Sequence, residues 1–328
     1  NTLGQLIKKS TPDDDGDGNG ITTDEVSTSG TPDYEYKYDK VGNLRFVLDP
    51  NGRSAGYFTY NKYDAQNRLI ETGKRTNITY FTETNAYTVD FPTDTDKEIF
   101  TANCYDAEPT YGNEVWINAV DPGTMNNLHG KLVASAYKDI NTGVYGYTFY
   151  SYYQNGNIEL VVQDIPGSAI GVKKIAYEYD FLNNLTKVLY QSGQSDQFYS
   201  WYEYDAAGRL QYIYTNTSNN RSTATTNAEY VYNPTGQFKR IVYGQTAQGV
   251  DYLYNTRDWV TQINHQNLGG IYNGEPQDPG RDGFDSGVST DVFGLVLGYD
   301  NVGHIGDTQN ADPQFNGNIS WMMWRNAG

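Results

Sequence analysis

Residues Ala176–Leu185 read Ala-Tyr-Glu-Tyr-Asp-Phe-Leu-Asn-Asn-Leu, and Trp201–Leu210 read Trp-Tyr-Glu-Tyr-Asp-Ala-Ala-Gly-Arg-Leu. Both follow one pattern: aromatic and polar residues in alternation, Tyr-Asp, two spacers, Gly or Asn beside a polar partner, then Leu. Tyr-Glu-Tyr sends successive side chains to opposite faces of a strand. Asp180 and Asp205 offer a carboxylate to backbone N–H groups two residues on, and Gly208 or Asn184 is the residue expected to tolerate a positive φ. Leu185 and Leu210 then restart an apolar alternation. One copy is therefore a strand–turn–strand hairpin. A lone hairpin is marginal in water, so the copies must stack against one another to bury anything.

Further copies follow from the same frame. Tyr34–Leu44 turns at Tyr38-Asp39, and Tyr60–Leu69 turns at Tyr63-Asp64. Tyr150–Ile158 keeps the frame with Tyr153 as its anchor and Gln154 in place of Asp. Tyr230–Phe238 and Tyr252–Val260 carry Asn for Asp, while Cys104–Asp106 and Gly298–Gly303 are partial copies. The anchors Tyr153, Tyr179, Tyr204, Tyr232 and Tyr254 recur about every 25 residues, with drift, so loop length varies while the hairpin is kept.

These residues resemble the YD-repeat, or RHS-repeat, family, whose consensus is Tyr-Asp-x-x-Gly-Arg/Asn-Leu. The intervening phrases Gly130-Lys-Leu-Val, Gly249-Val-Asp-Tyr-Leu-Tyr and Phe315-Asn-Gly-Asn-Ile-Ser-Trp resemble the long RHS proteins of Bacteroidetes bacteria. The resemblance covers nearly the whole chain after Thr31. It implies an all-β fold, a spiralling sheet of stacked hairpins forming part of a hollow shell, as in RHS toxins, the Tc-toxin cocoon and teneurins. It further implies an extracellular or cell-surface scaffold that encloses or displays an effector or toxin cargo on the remainder of its own longer chain. Outer-membrane or secretion-machinery proteins are the other partners it suggests, and the type IX route is the export path. RHS cores of toxins can end in an aspartic self-cleaving segment with Asp-Pro-x-Gly motifs. The Asp-Pro-Gly stretches at 121 and 278 lack that context, so the activity is not carried over.

The expected organisation is an acidic segment and linker at 1–32, a repeat shell at 33–265, a long Gly/Pro/Asp loop at 266–292, and a continuation of the shell at 293–328. Tyr80–Phe100, rich in Thr, Tyr, Val and Phe, reads as strand inserted between repeats. The chain begins at Asn1 without Met and stops just after the apolar run ending at Trp324, so it is read as a piece of a longer protein.

Composition narrows the partners. The net charge of −17 argues against nucleic acid and anionic membrane surfaces, which need a basic footprint. No apolar run approaches the roughly 18 residues of a membrane-crossing helix. With 31 Tyr in 328 residues, the aromatic supply suits sheets, where tyrosine ladders pack neighbouring strands. The alternative use of these rings is a sugar- or peptide-binding surface. The single cysteine, Cys104, excludes an intrachain disulfide and reads as a buried, inert thiol. His129, with no second metal-binding residue beside it, reads as surface or packing.

Two acidic stretches are candidates for cation binding. Thr11–Glu25 places Asp13, Asp15 and Asp17 in alternation, then Gly18, Asn19, Asp24 and Glu25, which matches the start of a calcium loop. Ca²⁺ is the cofactor this pattern would take. The register is imperfect: counted from Asp13 the twelfth position is Asp24, and counted from Asp15 it is Val26. The alternative is a flexible acidic linker. In the second stretch, Asp278, Asp282 and Asp285 also offer carboxylates, although the Gly/Pro-rich setting reads more simply as a solvated loop.

No Gly-x-Ser-x-Gly, His-Glu-x-x-His, phosphate loop or Cys-x-x-Cys occurs. Two carboxylates would suffice for a glycosidase. However, Asp39, Asp64, Asp180 and Asp205 sit at repeated turn positions, and a repeated residue is not a unique catalyst. The chain is read as non-enzymatic, with a binding module as the competing reading, and with Trp116 and Trp259 as its test residues.

Overall fold

The computed structural model describes residues 5–9, 34–93, 96–111, 114–116, 118–119, 121–165, 171–265, 268, 271–272, 275–276, 278–282, 287–300 and 312–327. Asp13, Asp15, Asp17, Asn19, Asp24, Glu25 and Asp285 lie outside the described residues. The chain forms two compact units, 1–174 and 175–328.

The first unit contains β1 (Lys8–Lys9), β2 (Tyr34–Tyr38), β3 (Leu44–Leu48), α1 (Pro50–Ala55), β4 (Tyr57–Tyr63), β5 (Leu69–Thr76), α2 (Glu83–Tyr87), β6 (Lys97–Tyr105), β7 (Leu132–Lys138), β8 (Tyr145–Tyr152) and β9 (Ile158–Asp164). From β2 to β9 each strand pairs antiparallel with the next, and β1 adds to β2.

The second unit contains β10 (Lys173–Tyr179), β11 (Leu185–Tyr190), β12 (Phe198–Tyr204), β13 (Leu210–Asn216), β14 (Thr225–Tyr232), β15 (Phe238–Tyr243), β16 (Gln248–Tyr254), β17 (Val260–Ile263), β18 (Ile271–Tyr272), β19 (Glu275–Pro276), β20 (Phe293–Gly298) and β21 (Trp321–Asn326). Here too β10 to β17 pair in chain order. β20 joins β17, β21 joins β20, and β18–β19 form a separate small hairpin. The fold is all-β and antiparallel, built of consecutive hairpins as expected.

The Tyr-Asp corners at 39, 64, 180 and 205 are each held by their own carboxylate. Asp205 Oδ1 accepts from the N–H groups of Ala207 and Arg209, both at 2.9 Å, while Oδ2 accepts from Arg209 Nε at 2.7 Å. Asp39 does the same with Val41 and Asn43, Asp64 with Gln66 and Arg68, and Asp180 with Leu182 and Asn184. Asn255 replaces Asp without loss of the turn, because Oδ1 alone receives Arg257 N–H and Trp259 N–H. Gly208 closes the corner at φ 77°, a conformation most side chains resist. In the 180 corner that position is Asn183, at φ 66°, and not Asn184, whose side chain instead bonds Asp180.

Pairing shows a regularity the repeat pattern hides. Tyr204 pairs with Leu210 but Glu203 pairs with Tyr212, which leaves Gln211 as a bulge. The same slip occurs at Tyr38, Tyr63, Tyr105, Tyr152, Tyr179, Tyr232 and Tyr254. The Tyr152 hairpin corrects the expected frame: Tyr152, not Tyr153, takes the tyrosine position, and Tyr153 takes the place of Asp.

The hairpins are tied sideways by the same tyrosines. Tyr204 Oη donates to Leu185 O at 2.8 Å, Tyr232 Oη to Leu210 O at 2.7 Å, and Tyr299 Oη to Val260 O at 2.8 Å. In the first unit, Tyr63 Oη donates to Leu44 O and Tyr152 Oη to Leu132 O. The acceptor in each case is the first residue after the preceding corner. Arginines add a second tie. Arg68 stacks over Tyr105 and Arg209 over Tyr232, each 4.4 Å from the ring centre.

The two units bury apolar surface differently. In the first, Phe46, Leu48, Phe58 and Tyr60 from β3 and β4 are covered by Phe81, Ala86 and Phe91. A second cluster gathers Ile99, Ala134, Ala136, Tyr147, Phe149 and Val162 under Val115 and Trp116. The covering segments are the inserts between strands. The strand expected across residues 80–92 is instead a helical turn and α2, because Thr82 caps the helix by accepting Asn85 N–H and overrides local β propensity. Arg45, the bulge residue after the first corner, is buried and donates to the carbonyls of Asn61, Ala86, Thr88, Val89 and Phe91. It fastens the insert to the sheet. In the second unit every residue of β11 and β13 is half-buried, as in a sheet one layer thick.

Candidate functional site

The Asp-rich segment near 280 does not form a solvated loop. Asp278 and Asp282 are 2% and 1% exposed, and Asp251 and Asp291 are 4% and 1% exposed. Asp251 reaches the cluster from β16, Asp278 and Asp282 from one turn, and Asp291 from just before β20. The turn is local chemistry: Asp278 Oδ2 accepts Asp282 N–H at 3.0 Å, and Asp278 O accepts Arg281 N–H at 3.1 Å. Oxygens of Asp251, Asp278 and Asp282 all lie within 4.8 Å of one another.

Arg240 on β15 enters this group and donates to Asp251 Oδ2 and Asp282 Oδ1. Gln248 Nε2 donates to Asp291 Oδ1 at 2.9 Å. Asn264 accepts Asp251 N–H at 2.7 Å and donates to Phe293 O at 2.8 Å, which binds β16 to β20 behind the carboxylates. Gly280 passes so close to the Arg240 guanidinium and the Asp251 carboxylate that a Cβ there would overlap both. A glycine is required by that approach.

Four carboxylates facing one guanidinium in a dry setting cannot all ionise freely. Burial pushes the Asp251 carboxyl up to about 6, against the pull of Arg240. Burial first, then the charge of Asp278 and a carboxyl–carboxyl hydrogen bond with it, pushes Asp291 up to about 8. Apart from that bond, Asp278 Oδ1 and Asp291 Oδ2 receive no hydrogen bond from an N–H or hydroxyl donor among the described residues. A pair of acids that shares one proton can activate water when a substrate reaches it. These two are shut off from solvent, so the arrangement is suited to hold a positive charge in place. All offered ligands are hard oxygens.

Of the residues expected to matter, Asp39, Asp64, Asp180, Asp205, Tyr38, Tyr63, Tyr204 and Gly208 occupy the corners, and Tyr38 Oη donates to Leu6 O at 2.7 Å. Tyr179 pairs with Leu185 at its corner. Asp278 and Asp282 converge as a pair. Asp251, Asp291 and Arg240 carry no motif that marks them, and Asp251 lies inside the phrase Gly249–Tyr254, which carries only the family resemblance. Cys104 is half-buried with its thiol raised by burial, and the His129 side chain is fully exposed. Trp116 packs on Tyr147 and Phe149, and Trp259 on Tyr299 at 5.1 Å, so neither stands free as a binding platform. Among the described residues no helix is long and apolar enough to cross a membrane.

No protein-family model matches the chain, and no curated protein matches it. Among solved structures it is similar to TcdB2-TccC3-Cdc42, at 13% identity over 84% of this chain and 16% of that one, with a TM-score of 0.27. The Tc holotoxin pore of Photorhabdus luminescens is similar at 13% identity over 83% of this chain and 15% of that one, with a TM-score of 0.27. A porin-like protein from Bacteroides uniformis is similar at 12% identity over 75% of this chain and 86% of that one, with a TM-score of 0.25. The chain therefore spans less than a fifth of the two Tc chains.

Proposed function

We propose that the chain is a non-catalytic wall segment: an RHS-type shell or scaffold of a larger secreted or cell-surface bacterial protein, which encloses or displays an effector carried on its own longer chain. The observation that carries this reading is the recurrence of one corner and one sideways tyrosine bond from hairpin to hairpin. Such a unit makes a wall by repetition and needs no unique residue. The half-buried strands β11 and β13 support it, since a single-layer sheet has two faces to use. The repeated aspartates are all engaged in turns. A Bacteroidetes source, export by the type IX route and outer-membrane partners belong to the same reading. So does calcium at Asp13, Asp15, Asp17, Asn19, Asp24 and Glu25.

The test is protease protection in the natural full-length product. The segment beyond the repeats should survive digestion while attached to them and be degraded when expressed without them. Equal degradation in both forms contradicts the reading. Cell fractionation addresses location, and protein confined to the cytoplasm contradicts export.

One observation favours a second reading, a surface binding module. A cleft of about 420 Å³ lies between the 180 and 205 corners, lined by Asp180, Leu182, Tyr202, Tyr204 and Asp205, with Phe181 93% exposed beside it. Saturable glycan or peptide binding that Phe181→Ala removes without unfolding would favour this reading over the wall.

A further inference from the structure

We propose that Asp251, Asp278 and Asp282 form a calcium site, with the carboxyl of Asp291 beside it, that pins the 278–282 turn onto β15 and β16. Three observations lead there. First, the donors are right in kind and spacing. Two oxygens that ligate one calcium at about 2.4 Å lie no more than about 4.8 Å apart, and oxygens of Asp251, Asp278 and Asp282 meet that limit in every pairing. No nitrogen or sulfur ligand accompanies them, which favours a hard cation over zinc or copper.

Second, the cluster is short of positive charge. Arg240 serves Asp251 and Asp282, whereas among the described residues neither Asp278 nor Asp291 has a cation partner. Leaving a buried carboxylate ionised and unpaired costs several kcal/mol or more, so a proton or a metal ion must make up the difference. Third, one oxygen of Asp278 and one of Asp291 are met by no N–H or hydroxyl donor among the described residues, only by each other's carboxyl, although both side chains are at least 98% buried. Their other oxygens are held by Asp282 N–H and Gln248 Nε2, and Asp278 stands within reach of both Asp251 and Asp282. Calcium, which accepts irregular oxygen sets, suits carboxylates from a strand and a turn better than magnesium, which demands near-octahedral geometry.

The experiment must separate this site from the 13–25 segment. The chain carrying Asp13→Asn, Asp15→Asn, Asp17→Asn and Asp24→Asn is stripped with EDTA and titrated with calcium chloride by calorimetry and by thermal unfolding. One calcium per chain is expected, with a rise in Tm that magnesium at the same concentration does not match. Adding Asp278→Asn should weaken binding at least tenfold. Asp291→Asn is the second variant, since it keeps the Gln248 contact through its amide oxygen, and it should weaken binding likewise. Absence of calcium binding in the four-Asn chain overturns the proposal, whether or not the other variants fold. Unchanged affinity in Asp291→Asn, with higher stability in EDTA, shows that the cluster holds a proton instead and also overturns it. Equal stabilisation by magnesium overturns the assignment to calcium.

Discussion

The hydroxyl of Tyr204 reaches past its own hairpin to the carbonyl of Leu185, 2.8 Å away. That carbonyl belongs to the first residue after the preceding corner, next to the bulge at Thr186. Tyr204→Phe removes the donor and keeps the ring, so it should cost about 0.5–1.5 kcal/mol. Tyr232→Phe, which breaks the equivalent bond to Leu210, should cost a similar amount. Denaturant midpoints measure both. An effect at one site and none at the other would show that the bond is not a shared property of the repeat.

Asp205 is the acceptor for its whole corner. Asn supplies the same Oδ1, as Asn255 does naturally, so Asp205→Asn should destabilise less than Asp205→Ala. The ordering of the two urea midpoints checks this.

The charge on Asp205 adds a pH signature. The side-chain bond from Arg209, then its backbone N–H, hold the carboxyl below its ordinary value. A depressed folded pKa contributes stability above the unfolded value of about 3.9, and that stability is lost as the pH falls through the folded value. Asp106, lowered to about 2 chiefly by Arg68, acts in the same sense. The stability gap between the natural chain and Asp205→Asn should therefore be full at pH 7 and close below about pH 4. A gap that is constant with pH would place its origin outside ionisation.

Arg45 is surrounded by carbonyls rather than carboxylates. Arg45→Met strands several of them in a buried site and should cost about 2–4 kcal/mol. Arg45→Lys should recover only part of this, because one ammonium does not span the fork. Limited proteolysis should show cleavage within residues 77–93 before the strands are cut.

Gly280→Ala tests the close approach to Arg240 and Asp251. The added methyl has nowhere to go while that ion pair stays in place, so a loss of about 1–3 kcal/mol is expected from thermal unfolding.

The repeat was legible because each corner carries its chemistry locally: acceptor, spacer, positive-φ residue and bonding partner fall within five positions. Where two residues of one kind adjoin, the frame slips, as at Asn183-Asn184 and Tyr152-Tyr153. Bulges are illegible in a single strand, since they exist only as an offset against a partner. The role of Arg45 depends on one such bulge and on an insert whose Thr and Tyr content reads as strand. The carboxylate cluster stayed hidden because Asp, Pro and Gly describe a hydrated loop in composition, and burial is decided by what packs over them. The close-approach glycine at 280 and the four-residue spacing of Asp278 and Asp282 were the available signals.

The sideways tyrosine bond has an evolutionary corollary. Donor and acceptor occupy matching places on each hairpin that bears them, so excising or duplicating one whole unit brings together ends that still fit. Length can then change by unequal recombination without redesign of any contact, and a lineage can lengthen or shorten the sheet while its building block stays the same.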